Sequence, residues 1–107
     1  MRITFTARHF KTSDRLKKYA EDKVSKLLKY YQGGVIDFEI ILDYVKQEQV
    51  AEIIAKVYGK RLAVVEKSED MYKSIDLAVD KLERSLKKHK GKLREFENER
   101  ISENVEE

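Results

Sequence analysis

Cysteine and proline are absent from the sequence, and histidine occurs only twice. The absence of cysteine excludes a disulfide framework, a thiolate nucleophile and a cysteine-ligated zinc or iron–sulfur site. Two histidines alone cannot build a metal centre, so we expect no metal site and no cofactor. No Gly-rich phosphate loop or other catalytic motif accompanies the serines and histidines. We therefore predict that the protein is not an enzyme and has no small-molecule substrate.

Long apolar runs are also missing. No stretch approaches the roughly 18 uninterrupted apolar residues that a membrane span needs, and the N-terminus lacks the apolar region of a secretion signal. We therefore predict a cytoplasmic protein with no membrane partner. A chain of 107 residues with 41% hydrophobic content is long enough for one compact domain and too short for two of ordinary size.

Charge is abundant and segregated along the chain. Residues 1–31 hold nine Lys/Arg against three acids, and residues 59–94 hold eleven against six. Residues 32–58 carry two against five, and residues 95–107 carry one against six. A polyanion such as nucleic acid would be attracted to a face built from the first and third of these blocks in chain order, residues 1–31 and 59–94.

Alternating apolar and polar residues predict three strands, at residues 2–7, 35–45 and 50–58, and a short apolar run after Gly59 and Lys60 predicts a fourth at residues 62–65. A polar connection at residues 46–49 makes the second and third strands a hairpin. The core-facing positions of the fourth strand stay open, because its short apolar run does not alternate.

Apolar residues at helical spacing predict a first helix between the first two strands. Thr12, Ser13 and Asp14 are the candidates for its N-cap. The helix should end near Gly33 and Gly34.

A second, longer helix should follow the fourth strand. Ser68 is predicted to cap it, with Glu69 and Asp70 in its first turn, where acidic side chains suit the helix dipole. Gly91 should end or weaken this helix. The chain beyond Phe96 has too few apolar residues to pack, so we expect a mobile tail.

The predicted order β-α-β-β-β-α is that of an α+β protein. Strands with one polar face need helices on one side only, so both helices should cover the same face of a four-stranded mixed or antiparallel sheet. The expected fold is a two-layer sandwich with the layout of double-stranded-RNA-binding domains. Residues 1–94 would form this domain, and residues 95–107 its acidic tail.

Both predicted helices carry cations on their solvent side. Basic side chains on one helix usually just solvate it and form weak pairs at i,i+4. Two basic helices on the same side of a sheet would form a continuous patch, which favours phosphate binding. The residues of these basic faces are Arg15, Lys18, Lys26 and Lys29 on the first helix and Lys73, Lys81, Arg84 and Lys88 on the second.

The second helix also carries a fairly specific local sequence. Asp70-Met71-Tyr72 is followed by Ser74-Ile75-Asp76-Leu77, by Asp80-Lys81-Leu82-Glu83-Arg84 and by Leu86-Lys87-Lys88-His89-Lys90. With Arg8-His9 after the first strand, this resembles the ribosome hibernation factor family, which includes the hibernation promoting factor and the ribosome-associated inhibitor. The family is also called the ribosomal subunit interface or sigma-54 modulation family. The resemblance covers residues 1 to about 94.

The resemblance implies a protein that lodges between head and body of the small ribosomal subunit, against rRNA of the decoding region. It would block translation by occupying the places of mRNA and tRNA, which requires cations against phosphates and no bond chemistry. On this basis the expected rRNA-binding residues are Arg8, Lys23, Lys26, Lys29, Lys81, Arg84, Lys87, Lys88, Lys90 and Lys92.

Neighbours at helical spacing refine these expectations. Lys81 has no acidic residue four positions before or after it, so we expect it to be unpaired. Lys88 follows Arg84 by four residues, and this like-charge pair suggests that an external anion binds there. Lys87 can pair with Glu83, and for Arg84 pairing with Asp80 and RNA contact are equally expected. For His9 strand-end packing and RNA contact are equally expected, and Tyr72 is expected in the core more than as a base-stacking platform.

Other functions remain open at this stage. A general double-stranded RNA binder would share the fold. A protein-interaction module or weak homodimer could use the exposed sheet face, where Ile41 and Ile54 sit among charges. Longer family members carry a second, C-terminal domain that pairs two ribosomes, and nothing in these 107 residues supplies it.

Overall fold

The computed structural model describes residues 2–27, 36–57 and 60–102, with the side chains of Ile36 and of residues beyond Lys88 left out. Its six elements follow the predicted order β-α-β-β-β-α. They are β1 (Arg2–Arg8), α1 (Asp14–Ser25), β2 (Ile36–Val45), β3 (Glu48–Val57), β4 (Lys60–Ser68) and α2 (Met71–Ser102).

The four strands form one mixed sheet in the order β1-β2-β3-β4. β1 and β2 are parallel, because α1 returns the chain to the end at which β1 began, and β2, β3 and β4 are joined in antiparallel fashion. The register aligns Phe5 with Ile40, Ile40 with Ile53, and Ile53 with Val64. This row of apolar residues crosses the whole sheet on one face.

Both helices cover that face, as predicted. One apolar cluster unites β2 residues such as Phe38 and Leu42 with Val24 of α1 and with Ile75 and Leu82 of α2, all of them essentially inaccessible to solvent. Full burial of side chains of this size stabilises a fold by about 1.5–3 kcal/mol each. The α+β two-layer sandwich is confirmed.

The structure also settles which residues of β4 face the core. Val64 is buried against the helices, whereas Val65 is 45% exposed on the other face of the sheet. That other face, called here the open face, has no helix over it among the described residues. Ile41 and Ile54 belong to it, yet they are only 7% and 4% exposed. Each lies opposite a glutamate, Glu52 and Glu39 respectively, so they do not form the exposed apolar patch expected for a protein interface.

The β2–β3 hairpin is tighter than predicted. Glu48 already pairs with Val45, which leaves only Lys46 and Gln47 in the turn. Both have positive φ, 51° and 67°, as a two-residue type I′ turn requires. Neither is the glycine or asparagine that such positions favour, so the turn stores some backbone strain.

The N-cap of α1 is Ser13, whose Oγ accepts a hydrogen bond from the Leu16 N–H at 3.1 Å. The predicted cap of α2 is wrong. Ser68 is the last residue of β4, and Asp70 caps the helix by accepting from the Tyr72 N–H at 3.0 Å. Glu69 and Asp70 therefore precede the first turn of α2 and do not lie in it.

The second helix extends further towards the C-terminus than predicted. α2 continues through Gly91 to Ser102, so Gly91 does not end it and the backbone beyond Phe96 is still helical there. A single glycine costs a helix only about 1 kcal/mol, which its neighbours can offset. Mobility of the acidic tail stays a prediction. The predicted end of the first helix at Gly33 and Gly34 lies outside the described residues.

The part of the chain that the structure describes contains no helix long and apolar enough to cross a membrane. Within the same residues, no group of three or more His, Asp or Glu side chains could hold a metal ion.

Candidate nucleic-acid interface

α1 and α2 lie side by side on the sheet with their N-termini at the same end. Tyr19 of α1 donates its hydroxyl to Asp76 Oδ1 of α2 at 2.6 Å, and Lys23 Nζ lies 3.4 Å from the same oxygen. The Tyr19 ring meets that of Tyr72 edge to face, with centroids 4.9 Å apart. The two helices therefore run parallel, and their outer faces form one layer.

These four residues, Tyr19, Lys23, Tyr72 and Asp76, are called here the interhelix cluster. The hydrogen bond to the Asp76 carboxylate is the main reason that the pKa of Tyr19 is raised to about 12, and burial contributes further. Lys23 Nζ also lies 5.7 Å from the centroid of the Tyr19 ring, within the range of a cation–π contact. Lys23, predicted to bind rRNA, is thus engaged inside the protein and helps to join the helices.

On α1, Lys26 fits the prediction better. Its side chain is exposed, and it makes no hydrogen bond or ion pair with the described residues. Lys26 shares a helix face with Arg15 and Lys18, which lie about three and about two turns earlier, respectively. Lys29, the next expected contact on this face, lies outside the described residues. We call Arg15, Lys18 and Lys26 the α1 row.

On α2, the expectation that Lys81 is unpaired is wrong. Its Nζ lies 3.5 Å from Glu66 Oε2 of β4, a partner that neighbours at helical spacing could not reveal. The side chains of Arg84 and Lys88 are exposed and make no hydrogen bond or ion pair with the described residues, Asp80 included. Lys87 does take part in an interaction. The side chains of Lys90 and Lys92, further along α2, are not described.

Lys81, Arg84 and Lys88 form a second basic row, called here the α2 row. Because Lys81 reaches β4, this row lies on the side of α2 away from α1. Asp76 reaches α1 instead, and Asp80 and Glu83 follow it on the same face of α2. The helix layer therefore presents two basic rows with an acidic seam between them, and the continuous patch expected from the sequence is interrupted.

Arg8 is not brought together with the helix cations. Ile3 and Phe5 of β1 pack against the core, so Arg8, of opposite parity, belongs to the open face, where it pairs in register with Asp43. His9 Nδ1 bonds Asp43 Oδ1 at 2.7 Å, which is the main cause of the lowered pKa of Asp43. The His9 side chain is 70% exposed and its φ is 63°, so it is not a packed strand-end residue.

A profile of the family described as "Sigma 54 modulation protein / S30EA ribosomal protein" matches residues 3–94. The chain belongs to this family. A ribosome hibernation promoting factor of Azotobacter vinelandii is 33% identical over 92 residues, covering 86% of this chain and 85% of that protein. The resemblance inferred from the sequence is confirmed.

Two solved structures of similar proteins confirm the fold. The N-terminal domain of Thermus thermophilus Protein Y superposes with a TM-score of 0.76 at 30% identity, over 83% of this chain and 99% of that one. A ribosomal subunit interface protein from Coxiella burnetii gives a TM-score of 0.77 at 27% identity, over 85% and 99%. Members of the family are ribosome-associated binding proteins, which agrees with the prediction of a non-enzymatic function, although the absence of activity itself stays a prediction.

Sequence reasoning missed the two acids that organise this surface. Asp76 was noted only within the local sequence of the second helix, and Glu66 was given no role. Asp76 lies 57 positions from its partner Tyr19, and Glu66 lies 15 positions from its partner Lys81. No local spacing rule links residues so far apart.

Proposed function

We propose that this protein is a cytoplasmic hibernation factor that binds the small ribosomal subunit near the decoding region through its helix layer. Occupancy alone would exclude mRNA and tRNA, so no bond chemistry is required. The family membership supports ribosome association. The basic rows support rRNA as the contacted partner, since phosphates are bound by unpaired lysine and arginine.

The observation that carries this proposal is the pair Arg84 and Lys88. They are four residues apart on α2, carry like charges, and have no acidic partner among the described residues. Such a pair costs a few tenths of a kcal/mol in an isolated helix. An external phosphate group would relieve that repulsion. On α1, the exposed Lys26 side chain also has no partner among the described residues and is a further candidate phosphate contact.

Lys23 and Lys81 have a different part in the proposal. Each is held by an internal acid at more than 3 Å, Lys23 by Asp76 and Lys81 by Glu66, and each is at least one third exposed. Exposed pairs of this kind contribute roughly 0–1 kcal/mol to stability, so they can exchange a carboxylate for a phosphate at small cost. We propose them as secondary contacts. Lys29, Lys87, Lys90, Lys92 and Arg8 remain proposals from the resemblance alone.

The test is co-sedimentation with purified small subunits over a series of salt concentrations. Arg84→Glu/Lys88→Glu should lose binding and should flatten the dependence of log affinity on log salt, because each lost phosphate contact removes about 0.7–0.9 from that slope. A double-stranded RNA competitor should not displace the wild type, which separates a ribosome-binding protein from a general duplex binder.

The matched control lies on the open face. Lys56→Glu/Arg61→Glu makes the same change in charge at two exposed residues that pair across β3 and β4. This control should bind as the wild type does. Equal loss in both variants would mean that net charge governs binding, whereas unchanged binding of the α2 variant would remove the α2 row from the interface.

A further inference from the structure

A groove between the N-terminal halves of α1 and α2 is not used by the proposed contacts. It is lined by Arg15, Lys18, Tyr19, Asp22 and Tyr72. Arg15 and Lys18 begin the α1 row, so the groove opens beside that row. None of the residues expected individually to bind rRNA lines it, so no ligand has yet been assigned to its two aromatic rings.

The two rings are held in place by the protein. Tyr19 is fixed by its hydrogen bond to Asp76, and its ring meets Tyr72 at an interplanar angle of 77°. Tyr72 is half-buried at the edge of the core, and its hydroxyl has no hydrogen-bond partner among the described residues. A fixed aromatic ring loses little conformational entropy when a ligand stacks on it.

The cations of the groove are available to an anion. The Arg15 side chain makes no hydrogen bond or ion pair with the described residues. Lys18 contacts Asp22 at 3.7 Å, but both side chains are more than half exposed, so that pair adds little stability. Aromatic rings beside unpaired or weakly paired cations are the combination that binds a nucleotide, the base on the ring and the phosphate on the cations.

We propose that this groove holds one unpaired nucleotide of an RNA strand, with its base against the Tyr72 ring and its phosphate beside Arg15 and Lys18. The inference rests on the proposed function, because it requires RNA along the helix layer. A base within a duplex has both faces stacked, so the groove selects single-stranded RNA. No base-specific readout is implied, since every base offers a π-face.

The test compares two probes with equal charge, a short oligouridylate and an abasic RNA strand of the same length. The wild type should bind the oligouridylate more tightly by a factor on the order of ten, the contribution of one stacked base. Tyr72→Leu should lose this preference, whereas Tyr72→Phe, which keeps the ring, should retain it. Arg15→Ala should weaken the binding of both probes, because it removes a phosphate contact.

The control is Tyr44→Leu, which removes a 40% exposed tyrosine that does not line the groove. It should keep the preference, and thermal unfolding shows that each variant is folded. Equal affinity of the wild type for both probes, or an undiminished preference in Tyr72→Leu, would overturn the inference. Small subunits are assayed in parallel. If the wild type binds small subunits but does not prefer the oligouridylate over the abasic strand, only this inference fails. If the wild type does not bind small subunits, the proposed function fails and the inference fails with it.

Discussion

Replacing Ser74 with alanine should destabilise the protein without changing its charged surface. Ser74 lies in the first turn of α2, and its side chain is 0% exposed. Its Oγ donates to the Gln49 carbonyl oxygen of β3 at 2.6 Å and lies 2.7 Å from the Ser68 Oγ at the end of β4. This single hydroxyl therefore joins the start of the second helix to two strands of the sheet.

The magnitude follows from what the substitution leaves behind. Loss of a buried hydrogen-bond partner costs about 1–3 kcal/mol, since the partners keep their desolvation penalty. Alanine has a higher helix propensity than serine, which offsets about 0.5 kcal/mol of this loss. The free energy of unfolding should therefore fall by roughly 0.5–2.5 kcal/mol, and the melting temperature by several degrees.

Urea unfolding followed by circular dichroism measures this loss. Ser85→Ala is the matched control, because it makes the same change on the same helix at a residue whose hydroxyl has no hydrogen-bond partner outside its own helix among the described residues. It should be neutral or slightly stabilising. If Ser74→Ala proved as stable as Ser85→Ala, the hydroxyl would not tie the helix to the sheet and the reasoning would be refuted.

Two further predictions concern the interhelix cluster and the hairpin. Asp76→Asn should lower the pKa of Tyr19 from about 12 towards 10.0 in an absorbance titration. Because the pKa of Tyr19 is raised in the folded state, its hydrogen bond to Asp76 stabilises the fold fully below about pH 10, and this stabilisation is lost as the pH rises towards 12. The stability advantage of the wild type over Tyr19→Phe should therefore shrink between pH 10 and pH 12. A constant advantage would contradict this. Lys46→Asn/Gln47→Gly should raise the free energy of unfolding by about 1 kcal/mol by relieving the positive φ angles, whereas alanine at both positions should give no gain.

The fold could be predicted from the sequence because its signals are local. Alternation in β2 and helical spacing in α2 each identify an element and its buried face within a few residues. β4 was harder, since adjacent Leu62, Ala63, Val64 and Val65 fit either face, and only the pairing of Val64 with Ile53 decides it. The cap of α2 was misplaced for a related reason, because Ser68 and Asp70 are both good caps and the length of β4 selects between them.

The candidate interface could be predicted only in part. The cationic character of both helices follows from spacing. Lys88 has no acidic partner among the described residues, in line with the like-charge pair, and for Arg84, which the sequence left open, the same holds. The acidic seam and the pairing of Lys23 and Lys81 depend on how α1, α2 and β4 approach one another. Such approaches are set by the packing of side chains such as Leu82 and Val24 in the core, which no local pattern specifies.

The open face gives a physical reason for the orientation in the proposed complex. Asp37, Glu39 and Asp43 alternate along β2 on that face, and Glu52 of β3 lies between them in register. Arginines and lysines occur mainly on the flanking strands, so the centre of the open face repels phosphates while the basic rows of the helix layer attract them. The sheet and the helix layer together separate the two faces by more than the distance of about 8 Å over which charges act at physiological salt. Each face therefore presents its own electrostatic potential. An approaching RNA therefore meets a favourable potential on one side and an unfavourable one on the other, which should orient the protein with its helices towards the RNA before any specific contact forms.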